Sequence, residues 1–229
     1  MTIKYATYNA YYTDSTGRIA VIIKNDFQLL SVEIEGVKFE GYGFNNLSII
    51  DKPSYSQEQL QRFTLLPIQV SNPDDNTTYI DEELSNFSLE FVIPQLVIDV
   101  VTSHAFSADL LMNYSLNSTD ESFVITLPLA GVVYTGRGGW IETAFDQIHN
   151  QFAGKYRFKN CYGCIYGDYS VYGNDSFGTM LCFANQKQEY RATSDKAGYM
   201  DLAPPRGAVQ EIYCCSDYEI RRKGVGYRD

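Results

Sequence analysis

From Tyr5 to Leu127 the chain is written in short runs of alternating apolar and polar residues broken by turn formers. That pattern confines this stretch to antiparallel β structure, because side chains alternate across a strand with a period of two. Tyr5 to Tyr12 leads into Asp14-Ser15-Thr16-Gly17 and then Ile19 to Ile23, a hairpin signal. Leu30 to Glu35 alternates cleanly, which places Glu33 and Glu35 on a wet face, and Gly36 separates that run from Val37-Lys38-Phe39. Further strands are expected at 65–70, 87–92, 96–101, 108–116 and 123–127, with no helical pattern between them. Strands at this spacing predict a β-sandwich or a barrel-like sheet. Ser56 as a cap, with apolar Leu60 and Phe63, allows one short helix. Asp74-Asp75 and Asp81-Glu82-Glu83 read as turn-like polar runs on a solvated face.

The pattern changes at residues 135–139. Gly136-Arg137-Gly138-Gly139 is followed by a helix in which Trp140, Ile141, Ala144, Phe145, Ile148 and Phe152 share one stripe. Charge switches at the same place. Residues 1–135 hold 6 Lys and Arg against 17 Asp and Glu, a net of -11, whereas residues 136–229 carry 12 against 11. The expected organisation is an acidic β-sandwich-like domain over 1–135 and a helix with a small zinc-binding β domain over 136–229. The fold class is mainly β, of the α+β kind. An acidic surface repels nucleic acid and anionic lipid and attracts basic protein partners, although solubility alone also accounts for it.

All five cysteines lie after residue 160. The first residues have no apolar core of a secretory signal. The longest apolar stretch, 91–101, is interrupted by Pro94, Gln95 and Asp99 and is too short to cross a bilayer. The expectation is therefore a soluble cytoplasmic protein, in a compartment where thiols stay reduced and clustered cysteines suggest metal or redox chemistry before disulfides. Cys161-x-x-Cys164 has the spacing of a zinc half-site, and Gly163 suits its tight turn. Cys182 closes a predicted strand over 178–183, and Cys214-Cys215 end another over 209–213. Alternation along that strand would aim one of the pair at the site and the other away. The expected ligands of a closed, structural zinc are Cys161, Cys164, Cys182 and Cys214, with Cys215 as the substitute for Cys214. A redox dithiol at Cys161 and Cys164, and unlinked buried cysteines, are the alternatives.

Between the ligands runs a segment rich in Tyr, Gly, Ser and Asn, in which Tyr166, Tyr169 and Tyr172 offer rigid contact area to a partner. The plainer reading is a glycine-rich loop wrapped around the metal, its tyrosines packed against the sheet. Cys161-Tyr-Gly-Cys164, Tyr169-Ser-Val-Tyr-Gly173, Gly178-Thr-Met-Leu-Cys-Phe183, Gln210 to Cys214 and Gly224 to Arg228 together resemble an uncharacterised bacterial domain-of-unknown-function family. That family combines a β-rich N-terminal part with a cysteine-bearing C-terminal part, and the resemblance is strongest over 140–228. It implies a bacterial origin and strengthens the ligand set. It carries no activity.

Catalytic patterns are absent. His149-Asn150-Gln151 lacks the glutamate of a zinc deaminase, and Asn160 stands where its proline would precede Cys161. His104 and His149 are too few for most metal hydrolases, and Gly136 to Gly139 before a helix lacks the lysine of a nucleotide loop. Asp168, Glu211, Arg221 and Arg222 lie near the cysteines and read as groups that orient or neutralise the site. Three functions follow as expectations. The first is a non-enzymatic interaction module with structural zinc, immunity- or antitoxin-like, covering a basic protein partner. The second is an enzyme with a carboxylate site near Asp168 and Glu211. The third is a thiol-based redox or metal sensor.

Overall fold

The computed structural model describes residues 5–71 and 77–228, so the Asp74-Asp75 run lies outside the described residues. The strands are β1 (Ala6–Asp14), β2 (Gly17–Asn25), β3 (Leu30–Ile34), β4 (Val37–Gly41), β5 (Ser48–Ile49), β6 (Thr64–Ser71), β7 (Thr78–Ser85), β8 (Phe87–Asp99), β9 (Ala105–Asn117), β10 (Asp120–Leu129), β11 (Val132–Gly138) and β12 (Tyr156–Phe158). They hydrogen-bond in the order β11-β10-β9-β8-β1-β2-β3-β4-β5-β7-β6, with β12 on β8. The protein is therefore mostly β, built on a large antiparallel sheet. Three further short strands, β13 (Gly167–Asp168), β14 (Met180–Cys182) and β15 (Ala208–Val209), make a second sheet. The helices are α1 (Gln57–Gln61), α2 (Ile141–Gln151), α3 (Lys187–Ala192) and α4 (Lys196–Met200).

The chain divides into two compact units. The first comprises the residues up to Val92 together with Met112–Ser122, and the second Ile93–Leu111 together with everything from Phe123 on. In the first unit alternation drives burial. In β3, Leu30, Val32 and Ile34 are buried while Glu33 is exposed. The inward aromatics converge. Phe44 packs on Phe91 and on Tyr114, with ring centroids 5.7 and 4.9 Å apart, and Tyr12 stacks on Phe87. Phe44 follows β4 in the chain, yet Tyr114 lies on β9, several strands away along the sheet. The sheet of this unit therefore curls around its own core. α1 starts with the expected Ser56 cap, which accepts from Gln59 N while Gln59 reaches back to Ser56 N, a reciprocal capping box.

Two strand expectations need correction. Pro94 does not separate two strands, because β8 runs unbroken from Phe87 to Asp99. Asp81-Glu82-Glu83 belongs to β7, where the three residues pair with Ile68, Pro67 and Leu66 of β6. Its charges masked the strand because both faces of this ribbon are only partly buried.

In the second unit α2 buries Ile141, Ala144, Phe145 and Ile148, and Phe152 follows them into the core. Trp140 stays exposed, because it is the cap residue preceding the helix. A Cβ on Gly136 would sit 1.9 Å from the carbonyl oxygen of Ala144, so glycine there lets the helix lie directly on β11. The helix also covers the open edge of that strand. Gln151 accepts from Thr135 N at 3.2 Å and donates to Thr135 O, and Gln147 does the same for Arg137 at 3.0 and 2.8 Å. Two amides one helical turn apart thus stand in for a neighbouring strand. The first helical N–H, of Ile141, is taken by the Ser176 carbonyl. Gly136 and Gly138 ahead of the helix serve packing. Among the described residues no helix is long and apolar enough to cross a membrane.

Candidate metal centre

The Cys161–Cys164 turn follows β12 directly and is held from behind by two buried amides. Asn160 donates to Gln95 Oε1 at 2.7 Å, and Gln95 donates in turn to the Ile212 carbonyl at 3.3 Å. The Asn160 side-chain oxygen, Oδ1, accepts from Gly163 N at 3.0 Å. Backbone approach is so close here that a Cβ on Gly163 would fall 2.2 Å from the Phe158 carbonyl oxygen. Cys164 N bonds to Cys161 O at 3.2 Å, closing the turn. Gln95, 65 residues away in sequence, gave no sign of this role, since a lone glutamine in a strand pattern carries no motif.

The other cysteines arrive along backbone ladders. Cys182 ends β14, opposite Gly167 of β13, and its N–H bonds to the Gly207 carbonyl at 3.0 Å. Residues 211–213 run beside the turn, with Cys161 N on Tyr213 O at 2.6 Å and Tyr162 N on Glu211 O at 3.0 Å. Here the expected strand over 209–213 is corrected. β15 ends at Val209, and Gln210, Glu211 and Ile212 are buried in succession, which no alternating strand allows. Cys214 and Cys215 therefore sit in an irregular loop, where strand alternation cannot choose between them.

Cys161, Cys164 and Cys182 are buried, Cys214 and Cys215 are half-buried, and all five are free thiols. Burial pushes the Cys161 thiol well up, and the neighbouring Cys164, Cys215, Cys182 and Cys214 add to the rise. The other four sulfurs thus lie within electrostatic reach of Cys161. Burial also raises Cys164 and Cys182, but backbone N–H groups oppose it, those of Glu219 and Tyr166 at Cys164 and that of Ala184 at Cys182. Amides aimed at sulfur are the donors that favour thiolate over thiol. Among the described residues no three or more His, Cys, Asp or Glu side chains are arranged as a metal-holding group.

The rest of the region is a buried polar network. Asp168 accepts from the Tyr190 hydroxyl and from Tyr169 N, each at 2.7 Å, and burial raises its carboxyl. Glu211 is fully buried, accepts from the Tyr169 hydroxyl at 3.1 Å and Gly178 N at 2.9 Å, and is pushed by burial up to about 7. Arg221 donates to the carbonyls of Cys164, Gly167 and Arg228, so it ties the turn to the end of the chain, whereas Arg222 is exposed. Arg228 pairs with Glu142 at 2.7 Å and lies over the rings of Tyr162 and Tyr169. His149 contacts Arg157 at 2.8 Å, and burial lowers its pKa, as befits a packing residue.

The tyrosines divide. Tyr166 is buried with its hydroxyl on Glu219, Tyr169 is buried with its hydroxyl on Glu211, and Tyr172 is 80% exposed. Of the three expected at an interaction surface, only Tyr172 is exposed to solvent. The other two are internal and their hydroxyls find carboxylate partners, Glu211 fully buried and Glu219 partly exposed.

The model of a family of unknown function, DUF6304, matches residues 6–167, about seven-tenths of the chain. The matched span takes in the large sheet and both cysteines of the turn and stops before Cys182, so it overlaps the segment that carried the resemblance only over 140–167. No curated protein and no solved structure matches.

Proposed function

As the chain belongs to DUF6304, a family of unknown function, we propose its role from the chemistry of the cysteine centre. Cys161, Cys164, Cys182 and one of Cys214 and Cys215 hold a structural zinc that orders the second unit. The protein acts as a non-enzymatic, cytoplasmic bacterial interaction module of an immunity or antitoxin kind. The observation that carries the zinc reading is the grouping of five free thiols from three chain segments around Cys161, with backbone N–H groups directed at two of them. Thiolates are soft ligands that suit Zn²⁺, and four would close a tetrahedral shell by side-chain rotation. A redox dithiol fits less well. It requires an accessible thiol of low pKa, whereas Cys161 is 6% exposed and its thiol is pushed up. The carboxylate-enzyme reading is weakened in the same way, since Asp168 and Glu211 are enclosed and bonded to tyrosine hydroxyls and backbone amides.

A basic partner is supported by the acidity of residues 1–135 and by the outer face of β1 to β4. There Tyr11 and Ile22 stand exposed in an open groove of about 820 Å³ whose wall includes Glu33, Glu35 and Glu40 beside Lys24 and Lys38. Exposed aromatic and aliphatic anchors inside a charged rim make the anatomy of a protein interface.

Elemental analysis of full-length protein purified without chelator should find about one zinc per chain. Absence of metal, together with five titratable thiols in the folded protein, would refute the zinc reading. For the partner, wild-type protein should retain a basic protein that salt releases and that the Glu33→Lys/Glu40→Lys variant fails to retain. Equal retention by the variant would refute the acidic-face reading.

A further inference from the structure

We propose that the chain forms a twofold dimer through β6, which adds to the same strand of a second copy and joins the two sheets. β6 ends the hydrogen-bonded order, beyond β7. The Leu84 N–H bonds to the Leu47 carbonyl at 2.8 Å, on the β5 side of β7. Backbone direction alternates along a strand, so Leu84, Glu82, Ile80 and Thr78 all turn their polar groups to that side. Their opposite residues on β6 are Leu65, Pro67, Gln69 and Ser71. These therefore direct their backbone away from β7, toward the open edge. Pro67 suits this phase, since the ladder to β7 asks no N–H of it. Among the described residues the outward groups have no other backbone partner.

The strand is its own complement. With Ile68 of one copy opposite Ile68 of the other, residues 65–71 overlap completely in an antiparallel pair. Each outward donor then meets an acceptor: Leu65 N–H the Ser71 carbonyl, Ser71 N–H the Leu65 carbonyl, and Gln69 N–H the Pro67 carbonyl. Opposite the Pro67 nitrogen only the Gln69 carbonyl goes unmatched. Leu66 falls opposite Val70, and these half-buried aliphatic side chains share a face with Ile68. Charge favours the same occupant. β6 carries no charged residue, so a basic segment finds no carboxylate on it, whereas an uncharged strand matches it. The acidic run of β7 comes to lie three strand spacings from its counterpart, about 14 Å, beyond the screening length of about 8 Å at physiological salt. At the opposite edge of the sheet, Gln147 and Gln151 already cover β11 in each copy. Pairing through β6 therefore closes at two copies instead of extending into a fibre.

The test is sedimentation equilibrium of the full-length protein at up to about 100 μM, because a joint of one strand pair is small and its dissociation constant is expected at about 10–100 μM. The mass should rise from that of one chain toward that of two. Added salt should leave this association unchanged or strengthen it, whereas salt releases the basic partner proposed above. Gln69 is exposed and its N–H takes no part in the ladder to β7. Gln69→Pro should therefore weaken the dimer by about tenfold or more, as two bonds are lost per dimer. In case that variant fails to fold, Gln69→Lys puts a charge at the same exposed position and should weaken the dimer likewise. Residue-resolved amide exchange gives a second reading on the wild type. Raising the concentration should slow Leu65, Gln69 and Ser71 more than Leu66, Ile68 and Val70, which the ladder to β7 already protects. A protein monomeric over the whole range, a dimer that salt disperses, a dimer that the Gln69 variants leave unchanged, or one formed without added protection at Leu65, Gln69 and Ser71 would overturn the proposal. Neither the zinc nor the basic partner takes part in this contact, so failure here leaves both readings standing.

Discussion

Replacing Glu211 by Gln should stabilise the protein at neutral and alkaline pH and change little at pH 5. Burial displaces this carboxyl from an ordinary 4.5 to about 7, against the opposing pull of the Gly178 N–H, its own N–H, the Tyr169 hydroxyl and the charge of Arg228. A folded-state value above the unfolded one means that the native protein binds more protons between those two pH values. Stability is therefore fully present below about 4.5 and falls as pH rises through about 7. The displacement corresponds to about 3 kcal/mol, as an upper bound on what ionisation of Glu211 costs above neutrality. Glutamine keeps the shape and both contacts. Its oxygen accepts from Gly178 N, and its NH₂ donates to a Tyr169 hydroxyl that turns to become an acceptor. The assay is urea unfolding followed by far-UV circular dichroism from pH 5.5 to 8.5, because the only tryptophan, Trp140, is half exposed. The quantity to plot is the stability difference between variant and wild type, since any pH dependence of metal binding is common to both and cancels. The difference should grow in favour of Gln by about 1–3 kcal/mol across that range. A difference independent of pH would refute the argument, because it would mean that Glu211 does not titrate there.

Alanine at both Gln147 and Gln151 removes four bonds to the β11 edge, and should lower stability by about 1–3 kcal/mol in denaturant titrations. It should also produce concentration-dependent association, visible by sedimentation, as the uncovered edge seeks another strand. In the first unit, burial alone would raise Asp14, but bonds from Arg62, Thr16 and Tyr12 hold it at about 2. Its stabilising contribution is present above its ordinary 3.8 and is lost as pH falls through about 2. Arg62→Met should therefore unfold at a higher pH than wild type in an acid titration.

What could be read from the residues follows from where periodicity has physical force. β1 to β4 and β8 to β10 have one buried face each, so their sequences alternate and their positions were legible. β7 faces solvent on much of both sides, and its Asp81-Glu82-Glu83 run hid it. α2 announced itself through a continuous stripe, whereas α3 and α4 are six and five residues long and bury one tyrosine each, too little to mark a period. The cysteines were visible as a constellation because of their type. Their supports were not, since Gln95, Asn160 and Arg228 act through contacts made across 65 or more residues of chain.

The same contrast bears on the zinc proposed for the second unit. After β12 the chain has three strands of two or three residues and two helices of five or six, so the regular ladders that satisfy backbone groups elsewhere are scarce. Side chains take over that task. Arg221 serves three carbonyls, Tyr218 and Tyr199 donate to the carbonyls of Phe158 and Tyr169, and Gln186 serves that of Ala203. A network of this kind is stable only when nearly all of its members are in place, because each unmet buried group costs about 1–3 kcal/mol. Cross-linking its segments at one point lowers the entropy that must be overcome to assemble them, as a structural metal does in small irregular domains. The cysteines lie in the turn before β13, at the end of β14, and in the loop after β15. A tetrathiolate zinc would join those segments at the point where side-chain bonds now do most of the holding.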